Sequence, residues 1–124
     1  MYYQGKTVSK NYIEAEKWLR KAADQGDVIS QCMLGEIFQH GFGIPKNHSE
    51  AFKWYEKAAK QGYDEAQNKL GYMHYKGYGV NLCVTDAIFW WDKASKQGNK
   101  EAQKNLRNLE RLDKRPWSWL RPFF

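Results

Sequence analysis

The sequence predicts an all-α solenoid, a stack of antiparallel helix pairs, on three observations. Columns of identical residues recur every 36 positions without a gap: Trp18, Trp54 and Trp90; Ala15, Ala51 and Ala87; Ala22, Ala58 and Ala94; Gly26, Gly62 and Gly98. A second set keeps the same step: Gln31, Gln67 and Gln103; Leu34, Leu70 and Leu106; Gly5, Gly41 and Gly77. Between the glycines, apolar residues follow the helical period. A fixed period of this length marks stacked units that cannot bury their apolar faces alone. It directs the search for function toward a surface and away from a catalytic centre.

Residues 1–124 read as one domain: a partial repeat 1–26, repeats 27–62 and 63–98, a terminal helix 99–112 and an aromatic, basic tail 113–124. Met1 enters in mid-unit, since Tyr3 and Gly5 match Tyr75 and Gly77. Thr7 replaces the glycine found at Gly43 and Gly79, which makes that turn less permissive, and a helix follows from about Asn11 to Gln25. In the first complete unit Asp27 is a helix N-cap. Ile29, Met33, Leu34, Ile37 and Phe38 form its apolar face, and Gly41-Phe42-Gly43 breaks it. Asn47-His48-Ser49-Glu50 reads as a capping box with Glu50 reaching back. Ala51, Trp54, Tyr55, Ala58 and Ala59 supply the buried face of the second helix, where small residues let the pair approach closely.

The next unit repeats the plan through Ala66, Leu70 and Met73, then Gly77-Tyr78-Gly79-Val80, then Ala87, Trp90 and Ala94. Cys83 stands where Asn11 and Asn47 stand in the other units. Cysteine is a poor cap, so Thr85 is expected to take over and start that helix about two residues late. After the terminal helix, Asp113-Lys114-Arg115-Pro116 breaks the pattern and leads into the aromatic tail.

The chain has 124 residues, 16% of them aromatic, and a net charge of +6. Residues 1 to 99 carry 13 Lys/Arg against 11 Asp/Glu, and residues 100 to 124 carry 7 against 3. The basic character therefore belongs to the C-terminal end, and no long basic stripe tracks a nucleic-acid backbone. Nucleic acid is not the expected partner, and a membrane surface is open only to the tail. Two cysteines, Cys32 and Cys83, are too few for a disulfide framework. No apolar segment of signal-peptide type follows Met1, so a cytoplasmic location is the expectation.

Catalytic and metal chemistry find no support. His40, His48 and His74 lack a ligand pair at helical spacing, and no HExxH occurs. Cys32 and His40 are about 12 Å apart by helical rise, too far for a nucleophile and its base. The Gly-x-Gly turns lack the strand and the Lys-Ser/Thr of a phosphate loop. The expectation is a non-enzyme with no cofactor and no metal.

The motifs Ala66-Gln67-Asn68-Lys69-Leu70-Gly71, Gly77-Tyr78-Gly79-Val80 and Ala51-Phe52-Lys53-Trp54-Tyr55-Glu56-Lys57-Ala58-Ala59 resemble the SEL-one-like repeat (SLR), a subclass of the tetratricopeptide-like α-solenoids. The match runs from residue 3 to about 110. The resemblance implies a right-handed superhelix whose first-type helices line a concave groove, and a role as adaptor or scaffold for another protein or peptide. Carrying over the groove positions gives Ile29, Cys32, Glu36, Gln39 and His40 in the first complete unit. It gives Glu65, Asn68, Tyr72, Tyr75 and Lys76 in the next, and Glu101, Lys104, Asn108 and Arg111 in the terminal helix. Two alternatives accompany this reading: an immunity-type inhibitor of a bacterial toxin, and an assembly unit that stacks through its open ends. In the tail, Trp117, Trp119, Leu120, Phe123 and Phe124 are candidate contacts, either folding back on the terminal helix or filling another chain's groove.

Overall fold

The computed structural model describes residues 5–113, with side chains described from 13 to 109. Six helices follow in order: α1 Gly5–Asp24, α2 Val28–His40, α3 His48–Lys60, α4 Asp64–Lys76, α5 Val84–Lys96 and α6 Lys100–Asp113. There is no strand among the described residues. The firmest contacts run between successive helices, α1 on α2 through α5 on α6, so each unit leans on its neighbours as a right-handed solenoid requires. The starts of α2, α4 and α6, and of α3 and α5, keep the 36-residue step.

Local chemistry explains the boundaries. The Asp27 carboxylate accepts from the Ser30 backbone N–H at 3.0 Å and starts α2 as a side-chain cap. Asn47 caps α3 in the same way, accepting from the Glu50 N–H at 3.1 Å. The reciprocal half of the expected capping box does not form. The Asn47 N–H instead donates to the Phe38 carbonyl at 2.8 Å, so Glu50 has no donor to reach.

The same backbone bond corrects the expected late start of α5. The Cys83 N–H donates to the His74 carbonyl at 2.9 Å, and α5 begins at Val84, in step with His48. Cys83 makes no side-chain cap, and Thr85 does not replace it as the start. A tie to the preceding helix, repeated in both units, sets where the second helix begins.

At the N-terminal end the expected turn is helix. α1 runs from Gly5, through Thr7 and Asn11, to Asp24. Gly43 and Gly79 hold φ of +71° and +73° in the corresponding turns, a region that penalises a β-branched residue such as Thr7. Space excludes a side chain as well, because a Cβ on Gly79 would collide with the His48 carbonyl oxygen.

The core is a seam of small and large residues. Ala51, Ala58, Ala59, Ala66, Ala87, Ala94 and Ala102 are fully covered, and Leu34, Tyr55, Leu70, Met73 and Ile88 fill the spaces between them. The Gln column has a structural reason. Gln31 Nε2 donates to the Ala23 carbonyl at 3.1 Å, Gln67 Nε2 to the Ala59 carbonyl at 3.2 Å, and Gln103 Nε2 to the Ser95 carbonyl at 3.3 Å. Gln61 and Gln97 then donate to Gln31 Oε1 and Gln67 Oε1 at 2.8 and 2.9 Å. Each of Gln31, Gln67 and Gln103 adds a second hydrogen bond to a carbonyl at the end of the helix before it, which already accepts from the N–H of Gly26, Gly62 or Gly98, and the bonds form a ladder along the stack.

Two expectations about the apolar face need correction. Ile29 and Met33 are 52% and 47% exposed, whereas Leu34, Ile37 and Phe38 are buried. Lys69, the counterpart of Met33 one unit on, reaches back to Glu36 on α2 at 3.2 Å; no described helix stands in that place for Met33. Likewise Trp54 on α3 is 5% exposed in the core, but Trp18 on α1 is 67% exposed.

Candidate functional site

Helices α2, α4 and α6 present their outer residues side by side, and a groove of about 560 Å³ lies over α4. Gln39 and His40, at the end of α2, form one bank. Glu65, Asn68, Lys69 and Tyr72 of α4 form the floor, and Asn99, Lys100, Glu101 and Asn105 form the other bank. A smaller notch of about 210 Å³ adjoins it, lined by Tyr72, Tyr75, Trp91, Asn105, Asn108 and Leu109. Tyr72 and Asn105 belong to both.

Most polar groups here are held by the protein itself. The buried Tyr55 hydroxyl donates to Gln39 Oε1 at 2.6 Å, and burial pushes its pKa up. Asn105 Nδ2 donates to Asn68 Oδ1 at 3.0 Å, and Trp91 Nε1 donates to the Asn68 carbonyl at 3.1 Å. Asn99 caps α6 through the Ala102 N–H at 2.8 Å and donates to Asp64 at 3.0 Å. Lys76 Nζ lies 5.9 Å from the ring centres of both Tyr72 and Tyr75, within cation–π range. Acidic and basic groups alternate along the groove, giving it no single sign of charge.

The residues carried over from the resemblance divide into three groups. Gln39, His40, Glu65, Asn68, Tyr72 and Glu101 line the groove, and Tyr75 and Asn108 line the notch. Glu36 and Lys76 sit at the margin, through Lys69 and the two tyrosine rings. Ile29 and Lys104 are exposed and line neither. Arg111 lies on α6, but its side chain falls outside the described residues, as do Trp117, Trp119, Leu120, Phe123 and Phe124.

Cys32 is a correction. It is 4% exposed, packed in the core. Burial above all, then the charges of Glu36, Glu65 and Asp64 against an opposing Lys69, push its thiol up to about 12. It is neither a contact residue nor a reactive thiol. Among the described residues no three His, Cys, Asp or Glu side chains gather to hold a metal.

Several lining residues are absent from the carried-over set: Lys69, Asn99, Lys100, Asn105, Leu109 and Trp91. Trp91 left a signal, because the Tyr55 column becomes tryptophan there and forms the Trp90-Trp91 doublet. Asn105 left none, since its column reads Met33, Lys69 and Asn105.

The model of the Sel1 repeat matches three times in tandem, over residues 1–27, 28–63 and 64–99. The chain belongs to the Sel1 repeat family. Sel1 repeat proteins are in general non-catalytic scaffolds for protein–protein interaction. No curated protein matches in sequence, but solved structures do. The protective antigen c5321 of uropathogenic Escherichia coli, which displays an SLR fold, is 34% identical with a TM-score of 0.71, over 73% of this chain and 19% of that one. A Sel1 repeat protein from Oxalobacter formigenes is 35% identical with a TM-score of 0.65, over 66% and 63%. Cysteine rich protein B of Helicobacter pylori is 26% identical with a TM-score of 0.69, over 73% and 68%. The chain thus spans about a fifth of the E. coli antigen and under two thirds of the Oxalobacter protein.

Proposed function

We propose that this Sel1 repeat chain is a non-enzymatic interaction module that holds part of another protein on its concave face. The observation that carries the reading is the groove over α4, where three successive first-type helices contribute side chains to one surface. Its polar groups are fixed by internal hydrogen bonds, so little ordering entropy is left to lose on binding.

A photo-crosslinking amino acid placed at Tyr72 or Lys100 tests this against placement at Lys53 or Lys93, exposed on α3 and α5. The expected result is one partner captured from the groove positions and not from the other two. Equal capture from Lys53 and Lys93 overturns the concave-face reading.

A second reading, end-to-end stacking, draws on Trp18, Ile29 and Met33, large apolar side chains at the α1–α2 end that are 67%, 52% and 47% exposed. Sedimentation of the chain alone distinguishes the two. Concentration-dependent assembly that Trp18→Gln abolishes favours stacking; a monomer at all concentrations removes it.

A further inference from the structure

We infer that a second copy of the chain covers the open side of α1, head to head, so that two α1 helices pack antiparallel across a twofold axis at Trp18. The inference rests on the end-to-end reading and names its partner and symmetry; it is independent of the groove over α4.

The open side of α1 is a stripe that the later units cover. In α3 it reads Ala51, Trp54 and Ala58, all buried. In α5 Ala87 and Ala94 are fully covered beside a half-buried Trp90. The first helix of the pair lies along this stripe, since a Cβ on Gly71 of α4 would sit 3.1 Å from the Ala87 carbonyl oxygen. In α1 the same columns are Ala15, Trp18 and Ala22. Both alanines are only half-buried and Trp18 is 67% exposed. Among the described helices α1 makes its firm contacts with α2 alone. A hollow of about 450 Å³ lies against α1, lined by Trp18 with Glu14, Lys17 and Lys21 among others. An indole so exposed is apolar surface that association takes out of water.

The other end of the stack does not complement this stripe. There α6 exposes Lys104, Arg107 and Asn108. Arg107 also holds the column of Gly35 and Gly71, the glycines that receive the rings of Tyr55 and Trp91. A ring arriving at α6 meets a long charged side chain in place of that gap, which opposes head-to-tail growth. With one apolar end and one polar end, the apolar end is its own best complement. An isologous contact of that kind closes at two copies.

Charge supplies the self-complementarity. Glu14 and Lys21 stand four residues before and three after Trp18, on its side of the helix. Neither forms an ion pair among the described residues, and Lys21 Nζ lies 5.0 Å from the Trp18 ring centre. In an antiparallel pair centred on Trp18, Glu14 of each copy comes within about 1.5 Å, measured along the axis, of Lys21 of the other. Helical side chains lean toward their own N-terminus. Each Trp18 ring therefore rests over Ala22 of the second copy, a residue small enough to let the helices close.

The contact is small. One pair of helix faces falls short of the roughly 1,200–2,000 Å² of a standard interface, so a dissociation constant on the order of 100 µM is expected.

Sedimentation of the full chain from about 5 to about 500 µM provides the test, since the range spans that constant. The expected result is a monomer–dimer equilibrium with no larger species, and Trp18→Gln leaves a monomer. Glu14→Lys alone and Lys21→Glu alone each weaken the dimer by about tenfold, because each sets like charges together twice. An equimolar mixture of these two variants restores association, since every mixed dimer carries both opposite pairs; a head-to-tail contact gives no such rescue. Unchanged melting is required of all three variants.

A monomer at every concentration overturns the inference together with the end-to-end reading. Assembly that Trp18→Gln abolishes, but that runs past the dimer or is not rescued by the mixture, overturns the twofold contact and leaves the end-to-end reading standing. Assembly indifferent to Trp18→Gln places the contact elsewhere and overturns both.

Discussion

Gly71 and Trp91 approach so closely that one added carbon has no room: a Cβ on Gly71 would lie 2.6 Å from Trp91 Cδ1. The arrangement repeats one unit earlier, where a Cβ on Gly35 would lie 2.6 Å from Tyr55 Cδ1. The glycine in the first helix of each pair is thus matched to a large ring in the second. Trp91 cannot swing aside, being 2% exposed and tied through Nε1 to the Asn68 carbonyl. Gly71→Ala is expected to cost about 1–3 kcal/mol, the usual scale of overpacking. Urea denaturation checks it, and an unchanged midpoint would show that the ring yields.

The tryptophan column separates in energy although it is uniform in sequence. Trp54→Ala removes a core side chain 5% exposed, for an expected loss of about 3–5 kcal/mol. Trp18→Ala acts on a side chain 67% exposed, with Lys21 Nζ 5.0 Å from its ring centre. Its expected loss is below about 1 kcal/mol. Denaturation of the two variants side by side measures the difference, and equal losses would contradict the packing described for α1.

The glutamine ladder predicts a similar ranking. Gln67→Ala deletes a bond to the Ala59 carbonyl and one of the two acceptors of Gln97, which keeps the Gly62 carbonyl at 2.9 Å. Gln103→Ala deletes one long bond of 3.3 Å to Ser95. The first is expected to cost about 1–3 kcal/mol and the second less, since the first removes two bonds at a buried site and the second one bond at a partly exposed site, at about 0.5–1.5 kcal/mol each. Thermal melts rank the pair.

His74 makes stability depend on pH. It holds the position of Phe38 in the previous unit, 8% exposed, with Phe52 edge-on at 5.3 Å. Its Nδ1 finds no hydrogen-bond partner among the described residues, and Asp86 Oδ2 stands 3.9 Å away. Burial, the largest influence, lowers its pKa from the ordinary 6.5, against smaller upward pulls from Asp86 and Glu56. A histidine lowered on folding binds protons more readily unfolded. Its contribution is therefore intact above pH 6.5 and is lost as the pH falls from there through the folded value. His74→Phe is expected to flatten the slope of melting temperature between about pH 8 and about pH 5. An unchanged slope would assign the dependence to other groups.

The helix pairs were legible because packing against a neighbour forces the same residue types at the same places in each unit. What the period could not convey is which neighbour a residue meets. Ile29 and Met33 have the helical spacing of a core face, yet their sector of α2 faces away from α3 and α4. Cys32 shares a column with Asn68 and Lys104, polar residues that suggest a surface, but in α2 it is core. The start of α5 eluded a side-chain argument because a backbone bond from Cys83 to His74 sets it. The candidate site was half legible. Family positions place the tyrosines and Asn68, whereas Asn105 enters through a column with no common chemistry.

The groove over α4 has a mechanical consequence for the stack. Units joined through successive neighbours open independently, each amide exchanging with solvent according to its own pair's stability. A segment lying across α2, α4 and α6 touches three units at once. Its binding would act as a splint, raising protection against hydrogen exchange in α2 and α6 alike and making the units open together.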